Sequence, residues 1–223
     1  LARGRGTGQE RSMNRSGGPY PLDLGAARLA LCAERALWWP EARLLVVSDL
    51  HLGKAERMAR RGGPLVPPYE AEETLSRLEA LVAGRDPDHV VCLGDSFDDT
   101  AAARALPEAV VARLGTLMAG RRWTWVLGNH DPGPVDLGGT QVAELRLGGI
   151  VLRHIAEPGE TGPEISGHYH PKAGIGGARR PCFVTDGRRL ILPAFGTYTG
   201  GLAAGDPAIA GLMDVQACAI LSG

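Results

Sequence analysis

The sequence predicts an α/β fold in which two mixed β-sheets pack face to face with helices on the outside. Three observations carry this expectation. Over the first 130 residues, short apolar runs rich in β-branched residues alternate with amphipathic helical segments, in the order β-α-β-α-β. Beyond that point helix is scarce, and short strands are separated by Gly/Pro-rich turns. No internal repeat or linker divides the two halves, so both belong to one domain, expected over residues 21–223.

Taken in order, Leu1 to Gly18 is rich in Arg, Gly and Ser and lacks the apolar stretch of a signal peptide. Residues 1–20 are expected to form a disordered leader, or an extended start upstream of an initiator at Met13. Leu29 to Trp39, broken by Glu34 and Arg35, suits a hairpin or two edge strands. Arg43 to Ser48 is a continuous apolar run after Pro40, the pattern of a strand buried on both faces. Lys54 to Arg61 reads as a short helix stopped by Gly62, Gly63 and Pro64. Tyr69 to Ala83 reads as an amphipathic helix, with Ala71, Leu75, Leu78, Leu81 and Val82 on one face.

His89 to Leu93 is a second buried strand and Trp123 to Leu127 a third. Between them lies a helical region, Ala101 to Ala119, interrupted near Pro107. Val142 to Leu147 and Ile150 to Ile155 form a hairpin across Gly148-Gly149. Short strands are expected around 164–166, 182–185 and 190–192.

Composition narrows the function classes. A formal net charge of −1 argues against a generally basic nucleic-acid binder, although it leaves room for a local basic groove. Lys54 and Lys172 are the only lysines. The four cysteines are widely spaced without a CxxC pair, which suits free thiols in a reducing compartment. No apolar run approaches the roughly 18 residues of a membrane span, and the expected location is cytoplasmic.

The chemistry is concentrated where the strands end. Asp49-Leu50-His51 follows the first buried strand, Gly94-Asp95-Ser96-Phe97-Asp98 the second, and Gly128-Asn129-His130-Asp131 the third. His154 ends the second hairpin strand, and Gly167-His168-Tyr169-His170 follows the next. Open α/β sheets place their ligand sites at this carboxyl edge. Asp, Asn and His offer oxygen and imidazole donors, which suit Mn²⁺, Fe or Zn²⁺ and exclude a thiolate-type site. The glycines let the backbone turn so that the next side chain enters the site. Each motif alone is weak evidence; their order, each behind a strand, is not a chance arrangement.

Other residues have plainer readings. Asp98 and Asp99 read as turn or supporting groups, His89 as a surface residue, Cys182 and Phe183 as core. Trp38, Trp39, Trp123 and Trp125 read as core or sheet-edge packing. The pairs Arg60-Arg61, Arg121-Arg122, Arg179-Arg180 and Arg188-Arg189 read as solvated surface, with a phosphate-backbone groove as the alternative. Lys54 and Arg57, just beyond Asp49-Leu50-His51, are better placed to meet substrate phosphates.

These ordered motifs resemble the DxH, GDxxD, GNH(D/E), single His and GHxH series of the calcineurin-like metallophosphoesterases. The resemblance implies a four-layer αββα sandwich and hydrolysis of a phosphate ester with two divalent metal ions, Mn²⁺ foremost, with Fe or Zn²⁺ as alternatives. It implies that Asp49, His51, Asp95 and His170 bind one ion. Asp95, Asn129, His154 and His168 would bind the second, with Asp95 bridging. His130 would bind the phosphate and protonate the leaving oxygen.

Glu34 to Pro40, Ser48 to Lys54 and Leu192 to Gly201 are similar to a narrower group, the bacterial DNA ligase-associated metallophosphoesterases. That resemblance implies a phosphodiester substrate such as DNA, a ligase and a helicase as associates, no membrane, and a DNA-repair setting. The second motif departs from that group, reading Ser96-Phe97-Asp98-Asp99 after Gly94-Asp95. A phosphatase or pyrophosphatase acting on a small metabolite or lipid-linked nucleotide uses the same chemistry and stays open. A non-catalytic metal-binding scaffold is the reading from another class.

Overall fold

The computed structural model describes residues 9–12, 18–131, 136–174 and 177–222. Of the expected leader, 1–8 and 13–17 lie outside these residues. Gln9–Ser12 forms strand β1, and Tyr20 already belongs to β2 (Tyr20–Leu24).

The first sheet holds seven strands in the order β2-β3-β4-β5-β6-β7-β8. β3 (Ala27–Leu31) and β4 (Leu37–Trp39) form the expected hairpin, with β2 added antiparallel at the edge. β5 (Leu44–Val47), β6 (His89–Leu93), β7 (Arg122–Val126) and β8 (Thr140–Val142) then run parallel. Helices α1 (Lys54–Arg60), α2 (Glu70–Arg85), α3 (Thr100–Arg104) and α4 (Glu108–Met118) make the crossovers. The break between α3 and α4 falls at Pro107, whose ring cannot continue a helix from the preceding turn.

The second sheet runs β1-β15-β13-β14-β11-β10-β9, with β12 paired to β13. Its members are β9 (Glu144–Leu147), β10 (Ile150–Arg153), β11 (Glu164–Ser166), β12 (Lys172–Ala173), β13 (Arg180–Thr185), β14 (Arg189–Ile191) and β15 (Cys218–Leu221). Gly148 and Gly149 turn β9 into β10 with φ of 56° and 79°, the two left-handed residues of a tight hairpin. The strand expected over 142–147 is divided at Ala143. Val142 ends β8 in the first sheet and Glu144 opens β9 in the second, so the chain crosses between sheets there.

Strand alternation sorts the apolar residues into layers. Leu44, Val46, Val91, Leu93 and Val126 face Ile150, Leu152, Ile165, Phe183, Leu190 and Ile220 across the intersheet core. Leu45, Val47, Val90, Cys92, Trp123 and Trp125 point the other way, under α2 and α4. The outer face of the second sheet is covered by Ile209 and Leu212, from and beside α5 (Pro207–Ala210). The fold is thus the two-sheet αββα type, with a thin layer on the second side. Phe183, Cys182 and the four tryptophans are buried as expected.

His89 is a correction. It is not a surface residue but 5% exposed, and its Nε2 lies 2.9 Å from Thr124 Oγ1. The Pro87-Asp88 turn starts β6 between β5 and β7, so even its first residue is covered on both sides.

Candidate active site

Because β5, β6 and β7 are parallel, Asp49, Asp95 and Asn129 emerge at one edge of the first sheet. β10 and β11, also parallel, bring His154 and His168 to the adjoining edge of the second. All eight residues expected at the site meet there. Five of them have left-handed backbone: Asp49 (φ 54°), His51 (48°), Asp95 (45°), His168 (71°) and His170 (45°). Such conformations cost a residue with a Cβ about 1–3 kcal/mol each and gather at functional sites.

The glycines work partly as expected. Gly94 has φ of 75°, and a Cβ there would strike the His154 ring. At Gly167 the reason is close approach: a Cβ would overlap Ser48 Oγ and Asp49 Oδ2.

Among the described residues three groups of donors converge: Asp49, His51 and His170; Asp95, His154 and His168; and His51, Asp98 and His130. The first is built around Asp49. Ser48 Oγ–H and the His168 N–H (3.0 Å) both donate to Asp49 Oδ2. Asp49 Oδ1 is left fully buried, 3.1 Å from His170 Nε2 and without a well-aligned hydrogen bond. The Nε2 atoms of His51 and His170 are 3.4 Å apart. Burial opposes ionisation of Asp49, but the His170 imidazole beside it, with His154 and His51, holds its pKa at about 2.

The second cluster is Asp95, His154 and His168, with Asn129 beside it. His154 Nε2 lies 3.3 Å from Asp95 Oδ2, 3.0 Å from Asn129 Oδ1 and 3.2 Å from His168 Nδ1. Its Nδ1 faces the Leu93 carbonyl at 3.3 Å, which fixes the tautomer that leaves Nε2 free to coordinate. Burial opposes protonation of His154, yet Asp95 and Asp49 outweigh it and raise its pKa. His168 moves the opposite way, through burial and the charge of His154.

In each of the three groups, ring nitrogens and carboxylate oxygens converge at separations where lone pairs repel unless a proton or cation lies between them. The donors are hard oxygens and imidazoles, with no thiolate among them. The residues therefore fit divalent cations.

Asp98 joins this site to α1. It is buried, with its carboxylate 2.9 Å from His51 Nδ1, 2.8 Å from Arg57 and 3.9 Å from Lys54. Its carbonyl lies 2.9 Å from His130 Nδ1. Despite burial, His51 and the neighbouring cations depress the Asp98 pKa. Lys54 and Arg57 are turned toward Asp98 within the site wall. Asp99 caps α3 through the Ala102 N–H (2.7 Å) and accepts from Arg60.

Three supports were not foreseen. Ser48 orients Asp49. Asp131 accepts from the N–H groups of Ser96 (2.7 Å), Phe97 (3.2 Å) and Gly128 (3.0 Å), tying the second and third motifs together. The Leu192–Gly201 segment buttresses the first motif, with Phe195 and Gly196 N–H groups donating to the Ser48 and Asp49 carbonyls. Asp131 stood inside the Gly128–Asp131 motif, the only signal available for it. A cavity of about 700 Å³ between α1, α2 and α3 is mainly apolar and holds none of the eight site residues.

A paired donor site of this kind, between the ends of two facing sheets, defines a metal-dependent phosphoesterase. Residues 42–182 match the calcineurin-like phosphoesterase family, and the chain belongs to it. Among solved structures it is similar to the crystal structure of Pseudomonas putida nuclease MPE, with 34% identity and a TM-score of 0.69, over 83% of this chain and 90% of that one. No match was found among curated proteins. The protein is thus a hydrolase of phosphate esters. Among the described residues, no helix is long and apolar enough to cross a membrane.

Proposed function

We propose that the protein is a phosphodiesterase of nucleic acid or nucleotide-like diesters, working in DNA repair in the cytoplasm beside a ligase and a helicase. The observation that carries the catalytic part is the convergence of three donor groups, with the His130 ring held through Nδ1 beside them. The nuclease relative and the similarity of Leu192–Gly201 to ligase-associated enzymes support the substrate class.

In this reading Asp49, His51 and His170 hold one cation, and Asn129, His154 and His168 the other. Asp95, whose Oδ1 accepts the His130 backbone N–H at 2.9 Å and whose Oδ2 faces His154, would be the ligand common to both. Mn²⁺ is the preferred ion. Such a pair supplies a nucleophile from water near neutral pH and offsets the charge that grows on the phosphate. His130, whose Nδ1–H donates to the Asp98 carbonyl, presents Nε2 and, as the imidazolium, would give its Nε2 proton to the leaving oxygen and revert to the neutral ring. Lys54 and Arg57 add positive charge along the phosphate approach, with Asp98 keeping them in place.

The test is hydrolysis of an aryl phosphodiester and its matching monoester by metal-stripped protein given Mn²⁺, with Asn129→Ala and His130→Ala as controls. Diester cleavage lost in both variants is expected. Cleavage of the monoester alone would move the assignment to a phosphatase of small metabolites. Two bound ions without turnover of either would favour a scaffold.

A further inference from the structure

Beside His130 lies a cleft of about 320 Å³, lined by Arg57, Arg61, Asp98, Asp99, Asn129 and His130. Arg57 and Arg61 stand four residues apart, on one face at the C-terminal end of α1. The cleft's two carboxylates are already engaged. Asp98 takes Arg57 at 2.8 Å and His51 at 2.9 Å, and Asp99 takes Arg60 at 2.8 Å. Arg60 is also bound to Glu56 at 2.9 Å.

Arg61 is placed differently. Its nearest carboxylate, Asp99, is 3.6 Å away, and its side chain is 59% exposed. It is the least committed cation of the cleft. Among the described residues, the four cations of the α1 segment, Lys54, Arg57, Arg60 and Arg61, share the three carboxylates of Glu56, Asp98 and Asp99, so the wall favours an anion.

The position of His130 says which anion. A group that protonates the leaving oxygen must lie on the leaving-group side of the scissile phosphorus. The fragment that departs therefore extends over His130 and into this cleft. An aryl or simple alkyl leaving group would put nothing there for Arg61 to meet. A strand of nucleotides would place its next phosphate there, and guanidinium is well suited to phosphate oxygens.

We propose that the cleft between α1 and His130 is a subsite for the next phosphate on the leaving-group side of a polynucleotide, with Arg61 as its anchor and Arg57 behind it. This rests on the phosphodiesterase reading above. It makes the enzyme selective for strands over isolated diesters, through a residue outside the metal-binding motifs.

The experiment compares three substrates with Mn²⁺-loaded protein: a thymidine dinucleotide with no terminal phosphate, the same with a 5′-phosphate, and the same with a 3′-phosphate. One terminal phosphate is expected to raise kcat/KM about 10-fold, mainly through KM, because a charge-assisted hydrogen bond is worth about that factor. In Arg61→Ala most of that ratio should vanish, and Arg61→Lys should restore part of it. Arg61 is exposed, so these variants should fold. Cleavage of the plain dinucleotide with no gain from either phosphate, or a gain that survives in Arg61→Ala, would overturn the subsite alone. If none of the three is cleaved, the phosphodiesterase reading falls and the subsite with it.

Discussion

The two sheets supply the site in different currencies. The first ends its parallel strands in Asp49, Asp95 and Asn129, together with His51 and His130. The second ends β10 and β11 in His154, His168 and His170. The first edge carries one complete donor group, His51, Asp98 and His130, whereas the other two groups draw on both edges. The site exists because one shared core, Val46, Leu93 and Val126 against Leu152, Ile165 and Leu190, fixes the two edges against each other. Polar support differs as well. Around the first sheet, Asp98 and Asp131 tie motif to motif. In the second, Arg189 and Arg153 surround the buried Glu164 and hold the strands themselves.

The sharpest way to break this comparison is to remove chemistry without removing a ligand. His130→Ala should lower kcat for an aryl diester by about 10²–10⁴-fold while metal content stays at the wild-type level. By contrast, Asp95→Asn and His154→Ala, one from each sheet, should lose both activity and metal. Equal metal loss in all three would show that His130 is a ligand and not the acid.

A second test attacks the strand-holding network. Arg189 is 3% exposed and donates to the carbonyls of Leu212 (2.5 Å), Glu157 (2.7 Å) and Glu160 (3.0 Å) as well as facing Glu164. Arg189→Met should cost about 3–5 kcal/mol of stability, the usual result of stranding a buried ionic partner, read from urea unfolding of metal-free protein. A loss under 1 kcal/mol would show that this network behaves like a surface ion pair.

Smaller effects come from the first sheet's supports. Asp98→Asn removes the carboxylate charge behind His51 and beside Arg57 and should reduce metal affinity or activity by about 10–100-fold. Metal titration and diester kinetics on the same preparation would separate the two; no change in either would leave Asp98 a mere turn residue.

The smallest expected effect concerns Glu70, buried on α2 and accepting from the Ala55 N–H at the start of α1. Burial raises its pKa to about 7, against backbone hydrogen bonds that lower it. The folded state then holds a proton that the unfolded state, at 4.5, has released. Stability should fall as pH rises between these two values, and Glu70→Gln should flatten that slope. Parallel Tm–pH curves for the two proteins would refute the assignment.

How much of this was legible in the sequence follows from the same contrast. β5, β6 and β7 are buried on both faces and so read as unbroken apolar runs, and the motifs behind them stood out. The second half has strands of two to six residues, too short for periodicity to show. β12 and β15 were missed, and β8 and β9 were merged because nothing at Ala143 signals a change of sheet. β2 alternates exposed and half-buried residues at an edge and left little trace. The eight residues that converge at the two edges stand out in the sequence by type and spacing. The roles of Ser48, Asp98 and Arg61 depend on contacts across the fold, which no local pattern encodes. The left-handed backbone at five non-glycine site residues was equally hidden.

The most direct test of the central claim, that two sheets build one paired metal site, is to count ions. Metal-stripped protein, Asp49→Ala and His154→Ala would each be titrated with Mn²⁺ and followed by calorimetry and electron paramagnetic resonance. The account predicts two ions per chain with a spin-coupled signal in the wild type. Each variant, though altered in a different sheet, should lose that coupling and bind at most one ion tightly. One ion per chain in the wild type, or two coupled ions surviving in either variant, would contradict it.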